Sequence, residues 1–84
     1  MSVLLLIERS KVGRGPKIPL RNSYSRATVE GLAALGEVVL LLDGFVISTI
    51  RENGTVVLPE RLEKGDTVCA ELCGAGCVTV QLEE

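Results

Sequence analysis

Short apolar runs alternate with glycine-bearing turn pairs along most of this chain. Between Gly36 and Thr67 the runs Val38–Leu42, Phe45–Ile50 and Thr55–Leu58 are separated or closed by Asp43-Gly44, Asn53-Gly54 and Gly65-Asp66. Asp and Asn tolerate positive φ and Gly adopts it freely, so each pair reverses the chain within a few residues. Strands that reverse about every eight to twelve residues predict an antiparallel all-β sandwich or barrel.

The same pattern places the remaining elements. Val3–Glu8 is a first strand, and Gly13, Gly15 and Pro16 then break any regular structure. Lys17–Tyr24 is extended, with Pro19 suited only to an edge or a loop. Arg26–Ala33 reads as strand rather than helix. Gly31 would weaken a helix interior by about 1 kcal/mol relative to Ala, and Thr28 and Val29 favour extended backbone. In that strand Ala27, Val29 and Gly31 face in, while Thr28 and Glu30 face out. Val38–Leu42 is apolar on both faces, with Val38, Leu40 and Leu42 on one and Val39 and Leu41 on the other. Glu60–Lys64 is a polar connection of up to one helical turn. Thr67–Leu72 and Cys77–Leu82 alternate cleanly and predict a terminal hairpin around Gly74-Ala75-Gly76.

Composition sharpens this picture. Eighty-four residues support a single core. Apolar residues make up 46% with a mean hydropathy of +0.36, yet there is one Phe, one Tyr and no Trp, so the core must be aliphatic. Apolar side chains exceed what a small sandwich encloses. Either strands are buried on both faces, or a second apolar surface is covered by another subunit. No segment reaches the roughly 18 apolar residues of a membrane span. Val3–Ile7 is too short for a signal-peptide apolar region, so no signal peptide is expected.

Charge is lopsided. Arg9, Lys11, Arg14, Lys17, Arg21 and Arg26 lie in one stretch without an acid, whereas Ala27–Glu84 holds three basic and ten acidic residues. The expected organisation is a strand and basic arm over residues 1–26 and a sandwich body over 27–84 within a single domain. The arm is suited to an acidic surface, such as that of a neighbouring copy. Nucleic acid is not expected, because only Tyr24 among the basic residues offers a stacking ring.

Candidate chemistry is sparse. Without His, Ser-His-Asp and Cys-His arrangements are impossible. Glu60 and Glu63 sit in a polar connection where solvated side chains are the ordinary outcome. Gly13-Arg14-Gly15 lacks the strand–loop–helix order of a phosphate loop. Cys69, Cys73 and Cys77 lack the fourth ligand and the CxxC spacing of a zinc site. A Cys73–Cys77 disulfide across the predicted hairpin is sterically feasible, though the odd count favours free thiols. Neither a cofactor, a metal, a small-molecule substrate nor enzymatic activity is expected.

The order of turn signals after Ala27 resembles the immunoglobulin-like domains of bacteriophage virion proteins and bacterial surface proteins. The residues that carry it are Val29-Glu30-Gly31, Gly36, Asp43-Gly44, Asn53-Gly54, Leu58-Pro59, Leu62 and Gly65-Asp66-Thr67-Val68, about two-thirds of the chain. The resemblance implies two face-to-face antiparallel sheets of about seven strands. The family's buried central aromatic has only Phe45 to match it. Gly54–Pro59 followed by Gly65-Asp66 is also similar to swapped-hairpin DNA-binding dimers, but the acidic body opposes phosphate contact. Val38–Gly44 and Leu62–Val68 look like a β-grasp sulfur carrier, whose terminal Gly-Gly is Glu83-Glu84 here.

The expectation is therefore a structural or interaction module of a larger assembly. Its most concrete form is a virion protein assembled in the host cytoplasm, as a capsid decoration, tail or collar component. Partners would be capsid or tail subunits or copies of itself, with no membrane involved. The expected contact residues are Lys11, Arg14, Lys17 and Arg21 of the arm and Val39 and Leu41 of the central strand. The alternatives are a secreted adhesin or carbohydrate-binding module and a DNA-binding dimer.

Overall fold

At Asp43-Gly44 the backbone takes φ values of 50° and 88°, the two consecutive positive angles of a type I′ turn. This turn joins strands β5 (Glu37–Leu42) and β6 (Phe45–Ile50), with Leu42 facing Phe45. The same reversal orders everything outside it. In the computed structural model, which describes residues 3–10, 13–74 and 76–84, strand β4 (Tyr24–Leu32) runs antiparallel to β7 (Gly54–Leu62), with Thr28 facing Thr55. The short strands β2 (Gly13–Arg14) and β3 (Ile18–Pro19) pair with β8 (Thr67–Cys73), Ile18 facing Val68. Outermost, β1 (Val3–Ser10) pairs with β9 (Gly76–Glu83), Leu4 facing Leu82. The described chain is one long hairpin, nearly symmetric about its tip.

That hairpin is rolled into two sheets. One has the order β1-β9-β4-β7; the other has β2-β8-β5-β6, with β3 beside β2 on the same edge of β8. Apart from the step between β2 and β3, every connection except β5–β6 crosses from one sheet to the other. Counting β2 and β3 as one strand broken at Gly15-Pro16-Lys17, this is the jelly-roll order of two interlocked Greek keys. The expected all-β antiparallel sandwich is therefore present, with a two-sheet packing compatible with the immunoglobulin-like arrangement. The predicted terminal hairpin is not. β8 and β9 lie in opposite sheets, where β8 pairs with β5 and β9 with β4. Their shared inward alternation comes from facing each other across the core, not from lying side by side.

The core is aliphatic as composition requires. Ala27, Val29, Val78, Val80 and Leu82 from one sheet meet Val38, Leu40, Val68, Ala70 and Leu72 from the other. Each larger side chain contributes roughly 1.5–3 kcal/mol by leaving water. Tyr24 is the buried aromatic, at 4% exposure, whereas Phe45 is 77% exposed. Gly31 does not simply point inward. Its φ is +83° where β4 slips register against β9, and a Cβ there would collide with the Cys77 carbonyl oxygen. The polar connection is shorter than expected, because β7 runs through Pro59 to Leu62. An edge strand tolerates that proline, and a register slip between Arg26–Val57 and Tyr24–Leu62 absorbs the extra residues.

The basic segment is extended, as expected, but it lies along the sheets. Ile18 packs on the core, and Leu20 and Tyr24 belong to it. Leu20 also exchanges backbone bonds with the β7–β8 turn, donating to Asp66 and accepting from Gly65.

Asn53-Gly54 is not a hairpin turn. It carries the chain from β6 to β7 in the other sheet. The Asn53 side chain there acts as a missing strand partner: Oδ1 accepts from the Leu32 N–H at 2.8 Å and Nδ2 donates to the Leu32 carbonyl at 3.1 Å. Replacing it leaves both part-buried backbone groups without that partner. Asn53→Ala is expected to cost about 1–3 kcal/mol in urea unfolding, and Asn53→Asp, which cannot donate from that position, a comparable amount.

Candidate interaction surface

Alternation along β5 sends Leu41 away from the core, and across the ladder its partner on β8 is Cys69. Both are nonetheless buried, at 5% and 6% exposure. The cover comes from the basic segment. Gly15 donates its N–H to the Ala70 carbonyl at 2.8 Å, and the Cys69 thiol donates to the Gly15 carbonyl at 3.3 Å. Glycine and proline at positions 15 and 16 interrupt the edge strand between β2 and β3.

The result is a cleft of about 320 Å³ lined by Arg14, Lys17, Leu41, Asp43, Gly44, Thr67 and Cys69. Its floor is apolar and its rim is charged. Asp43 is fixed by the turn itself: its N–H donates to the Thr67 carbonyl at 2.8 Å, and its Oδ1 accepts from the Thr67 N–H at 3.1 Å. Arg14 stands 3.8 Å from Glu71, and both side chains are partly exposed, so that pair is weak. Lys17 is exposed and makes no ion pair among the described residues.

Of the expected contact residues, the structure brings Arg14, Lys17 and Leu41 to this cleft. Val39 lies one outward position along β5, half-buried between Thr49 and Glu71. Arg21 is elsewhere, exposed beside a hollow formed with Ile18, Pro19, Asn22 and Tyr24. Lys11 lies outside the described residues. Asp43, Thr67 and Cys69 were not singled out for the surface by their sequence. The signal that finds them is the pairing of β5 with β8, which neither periodicity nor turn chemistry reports.

The outer apolar surface is thus partly sealed by the chain itself. What stays exposed is Leu35 at 97%, Phe45 at 77%, Val46 at 62% and Val57 at 77%. Glu60 and Glu63 are both exposed, and among the described residues no cluster of three or more His, Cys, Asp or Glu side chains has metal-binding geometry. Comparison with protein-family models, curated proteins and solved structures finds no match.

The three thiols are free and graded in exposure: Cys69 buried, Cys73 intermediate, Cys77 exposed. Cys73 leaves β8 and Cys77 enters β9 in opposite sheets, so the hairpin that motivated their pairing is absent. With a thiol reagent under native conditions Cys77 is expected to react first and Cys69 only on unfolding. Equal rates for all three would contradict the cover over Cys69.

Proposed function

We propose that this chain is a structural or interaction module that docks on a protein partner in a larger assembly through the outer face of the β2-β8-β5-β6 sheet. The observation that carries this reading is the cleft that Arg14 and Lys17 line together with Leu41, Asp43 and Cys69. Its cations would steer an acidic partner and set the register. The wider charge segregation agrees, with six basic residues gathered before Ala27.

The finer reading is a bacteriophage virion protein: a capsid decoration, tail or collar component that meets capsid or tail subunits. What supports it is the resemblance of the turn series to virion domains and the recurrence of jelly rolls among viral capsid proteins. Both supports are likenesses of fold, so the assignment rests on the partner found.

Because residues 3–19 supply strands to both sheets, the clean perturbation is charge reversal rather than deletion. Tagged wild-type chain and an Arg14→Glu/Lys17→Glu variant would be used to isolate partners from the cells that make the chain. The wild type is expected to retain a virion subunit at fixed stoichiometry. The variant should lose at least about tenfold in affinity, and added salt should weaken the wild type. Partners retained equally by both forms, or glycan or DNA retained instead of protein, would contradict the proposal.

A further inference from the structure

The chain holds two asparagines, Asn22 and Asn53, and only Asn53 precedes a glycine. Glycine has no side chain to shield its own nitrogen, so an Asn-Gly pair can close a ring on itself. The Gly54 nitrogen attacks Cγ of Asn53, the Cγ–Nδ2 bond breaks, and ammonia leaves with the proton from the Gly54 nitrogen. Water then opens the succinimide at either carbonyl, leaving aspartate or isoaspartate at position 53. Water is the only co-reactant. Asn53 and Gly54 are both exposed, and a Cβ built at Gly54 meets nothing within 4 Å, so water reaches the site.

What opposes the reaction is Leu32. Its N–H donates to Oδ1 at 2.8 Å, and its carbonyl accepts from Nδ2 at 3.1 Å. An amide held at both ends has little freedom to reach the tetrahedral geometry of attack, and losing ammonia removes the donor outright. Gly54 is itself fixed as the first residue of β7, opposite Val29. We propose that Asn53-Gly54 is a spontaneous deamidation site held in check by Leu32, reacting only when the β6–β7 crossover opens. β6 and β7 are the outermost strands of their sheets, the kind of position where local opening costs least. Conversion is one-way. A carboxylate has no donor, so one of its oxygens faces the Leu32 carbonyl without a hydrogen between them. Isoaspartate also lengthens the main chain by one carbon where it steps between the sheets. The converted chain therefore keeps the crossover loose, and the site records how often it has opened. This inference rests on neither the cleft nor its partner.

The test incubates the full chain at mildly alkaline pH and reads the mass gain at Asn53, with Asn22 beside Ser23 as the internal reference. In urea above the unfolding transition Asn53 is expected to convert well ahead of Asn22. In native buffer it should slow by the protection factor of the Leu32 amide, because that N–H exchanges through the same opening. Isolated converted chain should exchange its Leu32 amide at least about tenfold faster than the unconverted chain and unfold at lower urea. An unfolded chain that keeps Asn53 intact overturns the site. A native rate more than about tenfold off the one set by Leu32 exchange, in either direction, overturns the control by Leu32. Unchanged Leu32 exchange in the converted chain overturns the one-way loosening.

Discussion

A single tight reversal determines the partner of every strand in this protein. Asp43 and Gly44 both hold positive φ, and Asp43 spends its backbone and side chain on Thr67. Once that tip is set, each residue on one arm has its partner at nearly equal distance on the other, from Leu42–Phe45 outward to Leu4–Leu82. A straight hairpin of that length would leave both faces wet. Rolling it brings one face of every arm inward and produces a core without a helix. The entropy of closing the outer pairs is large, since they are nearly the full chain apart. Aliphatic burial across the two sheets has to offset it.

The rolled hairpin explains what could be read from the sequence and what could not. Alternation reports which face of a strand is apolar, so Ala27, Val29, Val68 and Val80 were legible as core, whereas β5 is apolar at both parities and its inward set, Val38 and Leu40, was not. Asp43-Gly44 was legible as a hairpin turn because two positive φ values demand those residue types. Alternation does not report which sheet a strand joins. β8 and β9 share an inward phase whether they are neighbours or face each other, and the Gly-bearing link between them fits either case. The same ambiguity made Asn53-Gly54 look like a hairpin, whereas its amide substitutes for a strand beside Leu32. Pro59 looked like an end only because edge position is invisible in sequence.

The surface follows the same logic. Apolar residues at both parities of β5 announced that the outer face would matter, and Leu41 and Val39 were legible there. Half of the cover was not foreseen. A basic stretch that reads as a free arm contributes Gly15, Arg14 and Lys17 to that face and Leu20 and Tyr24 to the interior. Two of its cations, Arg14 and Lys17, thus stand beside Leu41 and Cys69, while Arg21 lies elsewhere. Of the exposed apolar side chains, Val46 is the β6 partner of Leu41, Phe45 follows the hairpin turn, and Val57 lies on β7 in the other sheet.

Strand order defines this fold more than any one contact does, and nuclear Overhauser effects between backbone protons read strand order directly. A protein rolled from one hairpin gives cross-strand signals between Thr28 and Thr55, between Ile18 and Val68, and from Ala27 to Leu82. It gives none between β8 and β9 as ladder neighbours. A continuous ladder linking Leu72 to Val78, with the Ala27–Leu82 signals absent, would contradict it.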